Sequence, residues 1–243
     1  PRITPEEAAI GGCASELIHD GDCVQFGLGG TPGAVAAALT GKRDLGIHTE
    51  MLGNAMMNLI RSGAVSNRRK SLHPGRTVCT FALGDEDALG FLREHPEVMF
   101  RPAAYTNHPG TIAQNENMVS VNTALQIDLL GQVSSETIGS RQYSGTGGAL
   151  DFAYGAHSAP NGRSVIALSS TAGGGTLSRI SGALPLGSAV SIPRNIVDYV
   201  VTEFGIAPLR GRSVRQRVEN LIAVAHPDFR AELAREAQKM LLW

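Results

Sequence analysis

Apolar residues at Ile10, Cys13, Ala14, Leu17 and Ile18 recur at the three-to-four spacing of one helical face. Thr4-Pro5-Glu6-Glu7 stands just before them. A hydroxyl residue, a proline at the first helical position and a glutamate three residues after the threonine form a capping-box pattern, so a helix starts here. Asp20-Gly21-Asp22 ends it. The pattern then changes. Cys23-Val24-Gln25-Phe26 and Leu45-Gly46-Ile47 are short apolar runs bounded by turn residues and predict strands. Residues 32–39 and 52–60 return to helical spacing. Helix, strand, helix, strand, helix is the alternation of a parallel sheet covered by helices.

Further along, residues 66–76 are polar and basic. They predict a solvated surface loop carrying Arg68, Arg69 and Lys70. A strand is expected over 77–83, a helix over 85–93 and a strand over 98–101. Two apolar runs follow at 118–122 and 124–130. A glycine-rich loop occupies 140–148, a buried strand 164–168 and a second tight loop Gly173-Gly174-Gly175. A strand at 198–202 leads to terminal helices over 214–225 and 228–241. No internal repeat and no linker interrupts this order. The fold class expected is α/β, a mainly parallel or mixed sheet covered by helices, with residues 1–243 as a single domain.

Composition narrows the function classes. Apolar residues make up 42% and charged residues 18% of 243, and the net charge is -1. A partner built of nucleic acid calls for a basic excess, so none is expected. No apolar run is long enough to span a membrane. The start, PRITPEEAAI, lacks the charged-then-apolar pattern of a secretory signal. Cys13, Cys23 and Cys79 show neither the spacing of a zinc knot nor an even count for disulfides. Reduced, mostly buried thiols in a cytoplasmic protein without a metal are expected.

Glycine-rich turns and a few charges are the candidates for chemistry. Phe26 to Leu39 reads FGLGGTPGAVAAAL. Glycines after a strand and before a helix can hold an anion on backbone amides. Gly27, Gly29 and Gly33 miss the dinucleotide spacing, because the third glycine comes one residue late, and no P-loop lysine follows. In SRQYSGTGGALDF, Gly145, Gly147 and Gly148 either make a tight turn or aim N–H donors into a cleft. Glu50 lies just past the C-terminal end of a predicted parallel strand, the edge where ligands of open α/β sheets gather. It is either a helix cap or a reacting group. His48 either pairs with it or is simply packed. Glu203 has a similar place after another strand. Arg179, Arg194 and Arg210 meet phosphates or pair with carboxylates.

Several long segments, in order, carry a resemblance: GLGGTPGAVAAALTGKRDLGIHTEML, SVNTALQIDLLGQVSSE, GSRQYSGTGGALDF, STAGGGTLSRI and PRNIVDYVVTEFGIAPLRGRSVRQRVENLIAVAHPDFR. Together they resemble the acetyl-CoA hydrolase/transferase family, of the 4-hydroxybutyrate CoA-transferase type. The resemblance implies a class I CoA-transferase-like fold and a glutamate nucleophile at Glu50. It implies a glutamyl-CoA thioester made from an acyl-CoA and resolved by a second carboxylic acid, with ping-pong kinetics. A carboxylate needs no base for this, being ionised at neutral pH. By the same resemblance Gly147 and Gly148 serve the oxyanion. Gly27, Gly29 and Gly30 line the CoA site, and Asn122 and Glu203 are active-site polar residues. Coenzyme A enters as substrate, so no permanently bound cofactor is expected. Hydrolysis of acetyl-CoA is the neighbouring activity. A CoA-binding module without turnover and a nucleotide-dependent oxidoreductase are the other readings. The resemblance covers only the C-terminal, glutamate-bearing half of such proteins. The expected partner is therefore the N-terminal half, in the same protein or as a separate subunit, and a homo-oligomer is expected.

Overall fold

The structure is a computed structural model that describes residues 3–242. Its first helix, Pro5–Glu16, begins under the expected capping box. Thr4 Oγ1 accepts the Glu7 N–H at 3.2 Å, and the Glu7 carboxylate accepts the Thr4 N–H at 2.9 Å. This helix lies against the helix Gly30–Ala38. A Cβ at Gly11 would stand 2.7 Å from the Ala34 carbonyl oxygen, so only glycine allows this backbone-to-backbone approach.

A six-stranded sheet runs through the molecule in the order Gly205–Pro208, Tyr199–Thr202, Arg163–Ala167, Met118–Asn122, Cys23–Phe26, Gly46–Ile47. The last five in this order are parallel, and Gly205–Pro208 returns antiparallel after a tight turn. Every residue of Cys23–Phe26 and Met118–Asn122 is buried. That is the signature of a sheet with helices on both faces. On one face Val24, Phe26, Val119, Val121 and Val165 pack with Ile10, Ala14 and Val35 of the first two helices. On the other, Ile166 and Val200 pack with Val218 and Leu221 of the helix Val214–Val224. Cys23 and Met118 meet Phe152 there. From Cys23–Phe26 the chain moves outward to Gly46–Ile47, and the next sheet strand, Met118–Asn122, lies on the opposite side. The loops diverge there and leave a crevice at the C-terminal strand ends.

Three local expectations are corrected. The helix expected from residue 52 starts at Asn54, because Met51–Gly53 is a strand paired with Phe81–Leu83. A short apolar run suits either state, and pairing decided it. The strand expected over 77–83 is two strands. Thr77–Cys79 pairs with Val98–Phe100. The ladder breaks at Thr80, where the N–H groups of Thr80 and Phe81 both donate to the Glu50 carbonyl, at 2.8 and 3.1 Å. The basic loop is only partly solvated. Arg68 and Arg69 are exposed, but Lys70 is buried. Its Nζ donates to the carbonyls of Ile47 and Arg76 at 2.9 and 2.7 Å. Burial lowers its pKa. Among the elements not anticipated are the helix Ala149–Ser158 and the edge strand Gly205–Pro208.

Among the described residues no helix is long and apolar enough to cross a membrane. None of their His, Cys, Asp and Glu residues gather in a group of three that would hold a metal ion. The three cysteines are free, and burial pushes the Cys23 and Cys79 thiols up to about 11 and about 12.

Candidate active site

Glu50 stands three residues beyond the strand Gly46–Ile47 and immediately before Met51–Gly53. The Thr49 N–H donates to the Val78 carbonyl at 2.9 Å, and the Glu50 carbonyl takes the two donors from Thr80 and Phe81. The backbone is thus fastened on both sides of the side chain. Glu50 lines a cleft of about 410 Å³ together with Gly27, Asn122, Gly147 and Gly148. These are residues from four separate segments, brought together at the crevice.

The Gly148 N–H donates to Glu50 Oε2 at 3.0 Å. Gly148 also caps the helix Ala149–Ser158, so the carboxylate meets the positive end of a helix. A Cβ on Gly148 would come within 2.5 Å of Oε2 and 2.6 Å of Asn107 Nδ2. Its neighbour Gly147 has φ +54, the left-handed region that favours glycine. Asn107 therefore flanks the same carboxylate, and its own Oδ1 is buried without a partner. Sequence reading did not single out Asn107: an asparagine ahead of His-Pro in a polar stretch has no pattern to mark it. Asp151 lies in the first turn of the same helix. Burial raises its pKa, and the negative charge of Glu50 adds to the effect.

At the strand ends, Asn122 and Gln25 exchange amide hydrogen bonds at 3.1 and 3.2 Å, and both line the cleft. A Cβ on Gly27 would stand 2.9 Å from Asn122 Oδ1, which explains a glycine there. Gly29 and Gly30 are not among the residues lining this cleft; they line a larger cavity of about 740 Å³ with Leu28, Pro32, Ala55 and Leu59. The two cavities share Phe26, Gly27, Leu28 and Met51. Size alone favours the larger one. Glu50 and the Gly148 N–H that donates to it are in the smaller, and the smaller is the candidate site.

Other candidates fall elsewhere. His48 does not pair with Glu50. It is fully buried, its Nε2 bonds to the Thr106 carbonyl at 2.9 Å, and Nδ1 has no partner. Burial pushes its pKa down to about 4. Glu203 does not line the cleft. Its carboxylate accepts the Ser170 N–H at 2.9 Å and the Ser170 hydroxyl at 2.6 Å, bracing that loop. Arg210 pairs with the buried Asp198 at 3.5 Å. Arg179 lines the cleft and meets only carbonyls, those of Thr171 and Ala124.

Such a constellation suits acyl transfer: an anchored carboxylate, a backbone N–H at a helix terminus and a side-chain amide beside one open cleft. Comparison with known proteins agrees in class. Residues 84–237 match the Acetyl-CoA hydrolase/transferase C-terminal domain. Glu50 lies outside that match. Longer similarities include it. The chain is 52% identical over 99% of its length to a succinyl-CoA:cyclohexane-1-carboxylate CoA transferase of Geobacter metallireducens, covering 55% of that protein. It is 45% identical over 98% of its length to a 4-hydroxybutyrate coenzyme A transferase of Clostridium kluyveri, covering 56% of it. The crystal structure of RipA from Yersinia pestis superposes with a TM-score of 0.95 at 45% identity, over 100% of this chain and 55% of that one. Proteins named acetyl-CoA hydrolase match at 28% and 27% identity. The chain thus spans about half the length of the relatives it matches.

Proposed function

Because the chain belongs to the acetyl-CoA hydrolase/transferase family, we propose that it is the glutamate-bearing half of a CoA-transferase. It is read as one α/β unit that moves CoA from an acyl-CoA to a small carboxylic acid. Glu50 is the nucleophile. Its carboxylate oxygen attacks the thioester carbonyl, and the carbon–sulfur bond breaks to release CoA thiolate. The resulting acyl-glutamyl anhydride is attacked by that thiolate at the glutamyl carbonyl. The first acid leaves as carboxylate, and a glutamyl-CoA thioester remains. A second carboxylate then takes the CoA by the reverse steps.

The observation that carries this reading is the 3.0 Å hydrogen bond from the Gly148 N–H to Glu50. A donor placed on the reacting carboxylate also faces the oxyanion that forms on it, and one such donor contributes about 3 kcal/mol. Asn107 supplies a second amide beside it. Gly27 and Asn122 line the same cleft, and Gly29 and Gly30 open onto the adjoining cavity, a path suited to the pantetheine arm of CoA. The identities favour transfer over hydrolysis, since the relatives at 52% and 45% described above are named transferases and those named hydrolases stand at 28% and 27%. Coenzyme A is a substrate here, with no permanent cofactor. Three free thiols suit a cytoplasmic protein.

The rest of the site comes from a second half, in the same protein or as another subunit. Leu28, Phe81 and Leu83 stand 63%, 44% and 57% exposed around these cavities, apolar surface that a covering half would bury. The test is intact mass after mixing with butyryl-CoA, with and without that half, followed by peptide mapping. A CoA adduct on Glu50 is expected, absent in Glu50→Gln and strongest with both halves present. Transfer by the completed protein with Glu50→Gln in place would overturn the assignment. Dependence of thioester loss on added acetate separates transfer from hydrolysis.

A further inference from the structure

Glu50 shares its cleft with one other charged side chain among the described lining residues, Arg179. Some arginines of this chain have a carboxylate: Arg163 meets Asp22 at 2.7 Å and Arg210 meets Asp198. Arg217 spends all three guanidinium nitrogens on carbonyls. Arg179 does neither. Its Nε donates to the Thr171 carbonyl at 3.2 Å and Nη1 to the Ala124 carbonyl at 3.1 Å. Among the described residues Nη2 has no protein acceptor and no Asp or Glu oxygen comes within salt-bridge distance. A partly buried guanidinium held at a cleft wall with free donors is suited to a planar anion.

The surrounding loop is built to hold it. The Arg179 N–H donates to the Ser170 carbonyl at 2.8 Å. Ser170 is itself fixed, through N–H and hydroxyl, by the Glu203 carboxylate. Glu203 thereby acts as a positioning residue for a cation in the cleft. The sheet order separates this cation from Glu50. Glu50 follows Gly46–Ile47, whereas Ala124 and Thr171 follow strands two and three places away. With strands about 4.8 Å apart, the backbone anchors of the two charges stand roughly 10–14 Å apart along the sheet edge. Both side chains line the one cleft, held from anchors on different strands.

We propose that Arg179 binds the far carboxylate of a dicarboxylic acyl group, the one not joined to CoA, and makes the site selective for diacids over monoacids of equal length. The choice of ends rests on Glu50 being the reacting group. Phosphate oxygens of CoA share the same anionic chemistry, so the test separates the two sources.

Equilibrium binding of succinate, butyrate and CoA is measured by titration calorimetry on the full-length protein carrying this chain, as wild type, Arg179→Met and Arg179→Lys. Succinate is expected to bind at least tenfold more tightly than butyrate in the wild type. Arg179→Met removes that preference and leaves butyrate and CoA within about threefold, which also shows that the variant is folded. Arg179→Lys restores part of it, because an ammonium lacks the guanidinium fork. Equal succinate and butyrate affinities in the wild type overturn the proposal. So does a loss in Arg179→Met that falls on CoA, or equally on both acids. None of these readings needs turnover, so the inference fails or stands apart from the CoA adduct on Glu50.

Discussion

One carbon atom at Gly148 separates two outcomes. A methyl group there would press within 2.5 Å of Glu50 Oε2 and 2.6 Å of Asn107 Nδ2, while φ -91 is open to any residue. Gly148→Ala therefore strains the Glu50 carboxylate and not the backbone. Adduct formation at Glu50 is expected to slow by about 100-fold or more, the range for losing an oxyanion donor. The melting temperature should move by only a few degrees. Stopped reactions followed by mass spectrometry, beside a thermal melt, check both halves; a large fall in melting temperature would assign Gly148 to the fold instead. The sequence showed that glycines cluster here. It did not show that Gly147 is needed for its positive φ and Gly148 for the space it leaves.

Among the elements, the short strand Gly46–Ile47 has the most direct hold on the site. Cys23–Phe26 pairs with it on one side. On the other, side chains stand in for a neighbouring strand. Asn67 Oδ1 accepts the Ile47 N–H at 2.9 Å, and Lys70 Nζ donates to the Ile47 carbonyl. Asn67 Nδ2 reaches Thr77 Oγ1 at 2.9 Å and Lys70 reaches the Arg76 carbonyl, bridging to Thr77–Cys79. Lys70→Met keeps the aliphatic stem but leaves the buried Ile47 carbonyl without this donor, a cost of about 1–3 kcal/mol. Denaturant unfolding should show a loss in that range, and Glu50, three residues beyond Ile47, should react more slowly. Unchanged stability would mean that water replaces the ammonium. A charge run reads as solvated surface because lysine is rarely buried. This one is buried because two carbonyls at a strand edge need a donor.

For the whole molecule, His48 sets an acid limit. It is fully buried, and burial is the main reason that its pKa falls to about 4; the cations of Lys70 and His73 add to this, and the bond to the Thr106 carbonyl opposes it. An unfolded histidine titrates near 6.5, so between these values the unfolded chain binds more protons than the folded one. Stability contributed by His48 is therefore complete above about pH 6.5 and is lost as pH falls toward 4, by about 3 kcal/mol. His48→Gln keeps a donor for Thr106 and removes the titration. Unfolding free energies at pH 7 and pH 4.5 should differ less in the variant than in the wild type; an equal difference would place the acid sensitivity elsewhere.

Periodicity alone determined the α/β class, the buried strands at residues 23–26 and 118–122, and the capped helix at the start, because these follow from local spacing and local hydrogen bonds. The motifs carried the family and, with it, the place of Glu50. Pairing decided what local spacing leaves open: that Met51–Gly53 is a strand and that the run at 77–83 breaks at Thr80 to hold the Glu50 carbonyl. Tertiary contact also sorted the polar residues. It brought Asn107 to Glu50, joined Asn122 to Gln25, turned His48 away, took Glu203 out of the cleft and left Arg179 in it. Each of these depends on which segments meet at the sheet edge, residues far apart in the chain, and no spacing along the chain encodes that meeting.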